Sequence, residues 1–167
     1  MYQCGDQVVY GIHGVCQIID LQAQKIGGRK TNYYVLEPVD QAGTRFFVPS
    51  ENPLAVAKLR RVLTREEVEM MLTAETTQSD VWIADENQRK QRYRELIVSG
   101  DNRALLSMIC ALHREKAKQL AAGKKFHLCD ENFLRDAEKL IGGEFSVVLG
   151  IPRGEVAQYI KSRIEES

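Results

Sequence analysis

Between Asn52 and Thr64 the hydrophobic period of the chain changes, and this change limits the possible folds more than any other feature. Ahead of it the residues are patterned for strands. "DQVVYG" alternates weakly and stops at Gly11. "GVCQIIDLQAQKI" is a long run of β formers that ends at Gly27-Gly28. Such a pair favours a tight hairpin, because glycine takes positive φ without a steric penalty. "TNYYVLEPV" follows, Asp40 to Gly43 makes a second turn, and "TRFFVPS" is a further strand stopped by Pro49. Short strands joined by tight turns over about fifty residues predict a small barrel or a strongly bent sheet.

Beyond the change the pattern is helical. Thr64 and Glu67 form a capping box that opens "REEVEMML", and the polar stretch "TAETTQSD" follows. A helix is expected from Glu86 to Val98, ending at Ser99-Gly100. Asp101 caps the next, whose apolar positions Leu105, Leu106, Ile109, Leu112 and Leu120 recur at helical spacing until Gly123. Another is expected from Asp130 to Leu149, with Gly150 after it. Pro152 suits the first turn of a last helix, "RGEVAQYIKSRI". The class is therefore α+β, with a β domain over residues 1–60 and a compact helical domain over residues 61–167.

Charge narrows the function classes. Lys+Arg and Asp+Glu both number 23, and the 44% hydrophobic content is that of a globular chain. The balance is not uniform, since residues 81–125 carry ten basic side chains against five acidic ones. A neutral total therefore leaves room for a nucleic-acid face. No apolar run reaches the roughly 18 residues of a membrane span. The start "MYQCGDQVVYG" lacks the plan of a signal peptide. A cytoplasmic protein is expected, with Cys4, Cys16, Cys110 and Cys129 reduced. None of them sits in a CxxC pair, so neither a metal nor a cofactor is expected.

Enzyme signatures such as GxGxxG, the P-loop, HExxH and GxSxG do not occur. His13 and Cys16 are close enough in sequence for a thiol–imidazole pair, but a turn histidine beside a buried strand cysteine is the plainer reading. His113 and His127 are taken as surface residues, and the acid pair Asp130-Glu131 as a helix start favoured by the macrodipole. Trp82, the only tryptophan, stands in polar company. It either folds back over a helix seam or meets a partner. Arg89, Lys90, Arg92 and Arg94 follow it, with Tyr93 among them. On a helix Arg89 and Tyr93 share a face, as do Lys90 and Arg94. Cations beside an aromatic suit phosphates and a groove, although a solvated face has the same pattern.

"GDQVVYGIHGVCQI", "YYVLEPV", "FFVPSEN" and "W…RYRELIVSGD…L…LHREKAKQLAAGKK" together resemble the CarD/CdnL-type bacterial transcription regulators, across nearly all of the chain. Their first domain is similar to the RNA-polymerase-interacting domain of the Mfd repair translocase. The resemblance implies a Tudor-like, SH3-like β-barrel that docks on the β subunit of RNA polymerase through an exposed strand. It also implies a helical domain on promoter DNA at the upstream edge of the bubble. There a tryptophan wedges into the minor groove and basic residues hold phosphates, which stabilises the open complex. Carried onto this chain, Trp82 matches the wedge. Arg89, Lys90, Arg92 and Tyr93 match the basic helix start in kind, and Lys125 matches a phosphate-contacting lysine. The spacer "IADENQ" after Trp82 is longer than in some relatives. Phe47 stands where some relatives place a polymerase-contacting arginine, with Arg45 two residues earlier and, by strand alternation, on the same face. Lys25 sits near a second such contact. The implied protein is a monomer that is not an enzyme and binds DNA weakly, with little sequence preference, on its own. The rival reading is a Tudor/SH3-plus-helix scaffold that binds a protein partner and never touches DNA.

Overall fold

A computed structural model describes residues 1–73 and 82–166. The polar stretch from residue 74 onward and Val81 lie outside the described residues. The chain forms two compact units, Met1–Val62 and Leu63–Ser167.

The first unit is an antiparallel five-stranded sheet. Its strands are β1 (Gln7–Tyr10), β2 (Val15–Ile26), β3 (Arg29–Pro38), β4 (Phe46–Pro49) and β5 (Leu59–Arg61). They lie in the order β4-β3-β2-β1-β5, so β4 and β5 are the edges. The β2–β3 turn is the predicted two-residue hairpin, with φ of 60° at Gly27 and 81° at Gly28 and Ile26 opposite Arg29. Ile19 is an extra residue in β2. Ile18 faces Leu36, yet Asp20 already faces Val35. Such a bulge bends the strand and reverses the parity of the side chains beyond it. Cys16 and Ile18 therefore face the core before the bulge, and Leu21, opposite Tyr34, takes that side after it but stays exposed.

The core of this unit is Val8, Cys16, Ile18, Tyr34, Leu36, Val48 and Leu59. Two elements were not expected from the sequence. One is the short helix α1 (Pro53–Val56), capped by the Asn52 side chain and started by Pro53. The other is β5, whose three residues include two arginines. Pairing of Arg61, Arg60 and Leu59 with Val8, Val9 and Tyr10 makes it a strand, against its own propensity.

The second unit holds α2 (Arg65–Met71), α3 (Glu86–Ser99), α4 (Asn102–Ala121), α5 (Leu128–Leu149) and α6 (Val156–Glu166). The capping box closes as expected. Thr64 Oγ1 accepts from Glu67 N at 3.2 Å, and the Glu67 carboxylate accepts from Thr64 N at 3.1 Å. Asp85 and Asp101 cap α3 and α4, and Gly100 and Gly150 end α3 and α5 in the left-handed conformation. α5 starts two residues ahead of the expected Asp130. Pro152 leads into a 3-10 turn, Arg153–Glu155, before α6 begins.

α4 is the centre of this unit. Every residue from Leu105 to Leu112 is buried, so the helix is wrapped on all sides rather than along one stripe. Leu120, expected on the apolar face, is instead 56% exposed, because the burial of α4 ends at Leu112. Glu144 is buried on α5 and accepts from Leu63 N at 2.9 Å and from Asn102 Nδ2 at 2.8 Å, which ties the unit's first residue and the start of α4 to α5. Tyr159 donates to Glu69 at 2.6 Å, and Arg163 pairs with the same carboxylate. His113, taken as a surface residue, is half-buried with Nε2 2.8 Å from Glu138. No helix among the described residues is long and apolar enough to cross a membrane.

Burial decides the reactivity of the thiols. Desolvation, and then the Asp40 charge, push the Cys16 thiol from 9.0 up to about 11, and desolvation pushes Cys110 up to about 12. Cys16 is fully buried in the sheet, which is the opposite of the accessible, electropositive site that an activated thiolate needs. His13 lies instead in an aromatic cluster, 4.5 Å from Phe46 and 5.1 Å from Tyr10 between ring centroids. Both thiols ionise more readily in the unfolded chain. Stability present below pH 9.0 is therefore expected to fall as pH rises toward 11. At pH 8 a short iodoacetamide pulse should label the exposed Cys4 and spare Cys16 and Cys110, as read by peptide mass spectrometry. Labelling of Cys16 at the rate of Cys4 would contradict this account.

Candidate functional site

On the sheet, Phe47 and Arg45 of the residues expected at a partner surface lie at the β4 edge, and Lys25 lies apart at the β2–β3 hairpin. Phe47 is 47% exposed and lies opposite Val35. Tyr33, two residues earlier on β3 and on the same face, meets it edge to face with centroids 6.4 Å apart. Tyr33 was not singled out in the sequence, although its place two positions from the partner of Phe47 follows once the register is known. Arg45 is exposed, but β4 starts one residue after it. Strand alternation thus sets the face of Phe47 and not that of Arg45. Lys25 is exposed near the hairpin tip and lies directly opposite Lys30, with Arg29 next to it. Like charges facing each other across a strand pair repel, so the tip is a concentrated positive surface.

On the helical unit, the expected DNA-facing residues separate into two groups. Lys90, Arg92 and Lys125 are accessible: Arg92 and Lys125 are exposed, and Lys90 is half-exposed in an i,i+4 pair with Glu86 at 2.9 Å. Lys90 holds the Glu86 carboxyl below its usual range, first through the hydrogen bond and then through its charge, with His127 and Arg89 adding. His127 thus lies within electrostatic reach of the first turn of α3. Lys125 lies two residues ahead of His127, the N-cap of α5.

Arg89 and Tyr93 need a correction. Both are buried, at 4% and 3% exposure. Tyr93 packs edge to face on Phe133 with centroids 5.6 Å apart. Arg89 forms a two-pronged pair with Asp130, Nε to Oδ1 at 2.9 Å and Nη2 to Oδ2 at 3.0 Å. Its Nη1 donates to the carbonyls of Ile83 at 2.9 Å and Ala84 at 3.3 Å. The shared face of Arg89 and Tyr93 is the buried face of α3, which leaves neither side chain on the outside to hold a phosphate. Trp82 is half-buried. It packs on the helical core, and the Arg89 guanidinium lies over its ring, 4.3 Å from the centroid. Asp130 is indeed in the first turn of α5, as a helix-start acid should be, but it is also the buried counter-charge of a residue 41 positions away.

Among the described residues, no group of three or more histidine, cysteine or acidic side chains is placed to hold a metal. A small sheet whose edge strand β4 presents an exposed Phe47, packed on a half-buried Tyr33, suits a protein-interaction module. Residues 2–63 match the family model described as the CarD-like/TRCF RID domain. Residues 2–63 thus form a CarD-like RNA-polymerase-interacting domain, Tudor-like in fold. The resemblance read from the sequence ran over nearly the whole chain, whereas the matched segment ends at residue 63, ahead of the helices. No curated protein matches the chain.

The two groups of α3 residues differ in what their loss removes. Tyr93→Ala is expected to cost about 3–5 kcal/mol, as for other buried aromatics, and to lower the melting temperature sharply. Arg92→Ala, on the exposed face, should leave it unchanged. Equal melting temperatures for the two variants would mean that α3 is rotated relative to this description.

Proposed function

We propose that the β unit docks on the β subunit of bacterial RNA polymerase and that the helical unit stabilises the promoter open complex at the upstream edge of the bubble. The observation that carries the docking half is the family match over residues 2–63, on a unit whose edge strand β4 presents Phe47. An edge strand offers unpaired N–H and C=O groups to a partner strand. Phe47, Tyr33 and Arg45 supply the anchors beside it, and Lys25 adds charge at the hairpin tip. The DNA half is supported by the accessible cations Lys90, Arg92 and Lys125 and by the part of Trp82 left uncovered. Bound DNA is weak and nearly sequence-blind without polymerase, because phosphate contacts dominate.

Catalysis of bond chemistry is not needed for this role. Unstacking a base step costs about 1.4 kcal/mol. A residue that fits only the opened duplex shifts the equilibrium by its differential affinity. A shift of about 1.4 kcal/mol raises the occupancy of a rare open state roughly tenfold. The protein acts as a monomer in the cytoplasm, without a cofactor.

The burial of Arg89 and Tyr93 favours a second reading, a polymerase-bound scaffold that does not touch DNA. The two readings separate experimentally. Arg45→Glu combined with Phe47→Ala should weaken capture of polymerase by the full chain while the melting temperature holds. Unchanged capture by the folded double variant would move the docking surface elsewhere. Trp82→Ala should keep polymerase capture and shorten the open-complex lifetime. It should cost only part of the roughly 3–5 kcal/mol of a fully buried aromatic, since the ring is half-exposed. An unaltered lifetime would leave the scaffold reading standing.

A further inference from the structure

We propose that Arg89 and Asp130 are positioning residues, a buried strut that holds Trp82 in the pose in which it meets its partner. The proposal rests on the reading of Trp82 as the residue that contacts opened DNA.

The chemistry of the pair suits a strut better than it suits cohesion. The two side chains are 5% and 1% exposed. Burying both charges carries a desolvation penalty that their attraction offsets only when the geometry is good and the remaining donors are satisfied. Packing alone would be served as well by two apolar side chains. What an apolar pair cannot supply is direction. The guanidinium is a flat, rigid fork. Here one edge of it is fixed on Asp130, and Nη1 reaches the carbonyls of Ile83 and Ala84. Its central carbon, Cζ, lies over the indole of Trp82, 4.3 Å from the centroid. One group thus fixes three consecutive residues, 82–84, that precede the helix cap Asp85 and have no helical hydrogen bonds of their own.

Asp130 completes the strut from the other side. It sits in the first turn of α5, where the helix N-terminus favours a negative charge. Five residues earlier comes Lys125, the accessible lysine nominated for phosphate. The pair therefore sets the spacing between the indole and the segment bearing Lys125. A contact residue held in advance loses less freedom on binding than one that must be ordered by the partner.

The test uses the sole tryptophan as its own reporter. Asp130→Asn and Arg89→Lys are made in the full chain, with Ile141→Val as a control that loosens the same core away from the strut. Emission maximum and acrylamide quenching are read at a temperature where circular dichroism shows each variant folded. Polymerase capture and open-complex lifetime are measured on the same preparations.

Asp130→Asn is expected to red-shift Trp82 emission, raise its quenching and shorten the lifetime to that of Trp82→Ala, with capture unchanged. Ile141→Val should lower the melting temperature and move none of these. Should Asp130→Asn not fold, Arg89→Lys carries the same expectations, since lysine keeps the charge but has neither the fork nor a flat face for the indole. Unmoved emission in the folded variant, or an equal shift in Ile141→Val, overturns the strut. An unmoved lifetime in Trp82→Ala overturns the DNA reading instead, and the fluorescence result still decides the strut.

Discussion

A charge taken out of water must be answered by another, and in the helical unit the answer to Arg89 decides how α3 is turned. Asp130 receives the guanidinium through two hydrogen bonds. Tyr93 and Leu96, one and two turns further on, then face the core with it. Every other residue of α3 takes its place relative to that line. Gln91, Arg92, Arg94 and Glu95 are left exposed, and Lys90 lies at the margin. The surface charge of the helix is thus set by one buried contact to α5. Arg89 is neutralised where it sits and adds no net charge toward a phosphate.

The sheet depends on a different constraint, the bulge at Ile19. Without it, β2 would keep one parity throughout its 12 residues, and Leu21 would not share the face of Cys16 and Ile18. With it, Tyr34 and Leu36 remain inward on β3, and Tyr33 and Val35 point to the other face. The pairing of the buried Val35 with Phe47 carries that second face onto the edge strand, where it becomes exposed. The contact of the exposed Phe47 with the half-buried Tyr33 is therefore a consequence of strand register.

How much of this was legible follows from what local patterns encode. The Gly27-Gly28 hairpin, the Thr64–Glu67 box, the cap at Asp101 and the stops at Gly100 and Gly150 depend on residues within four positions of each other, and sequence spacing reports such contacts directly. The strand β5 was not legible, because its partner β1 lies some fifty residues away and its own residues argue against it. The reading of α3 shows the same limit more sharply. Helical spacing correctly put Arg89 and Tyr93 on one face, yet it carries no information on which way that face points. Cations usually face water, so the outward choice followed from composition. Only Asp130, 41 residues on, reverses it. Asp130 in turn had a sufficient local explanation as a helix-start acid, which concealed its second partner.

Half-burial of Trp82 bears on the proposed DNA mechanism in a specific way. A residue that stabilises an opened duplex does so only to the extent that it binds the opened form better than the closed one. Full exposure adds nothing to that difference. A freely rotating indole would meet both forms and would lose side-chain freedom on engaging either. An indole with one face covered by Arg89 offers fewer ways to bind, and the covered face is excluded from stacking with a base as long as the guanidinium stays in place. Contact then falls to the remainder of the ring, at a fixed angle to α3. Such a restriction favours a distorted base step that presents a gap at that angle over an intact duplex that presents none. On the proposed DNA mechanism, the energetic selectivity asked of Trp82 would thereby come less from its size than from the buried charge pair behind it.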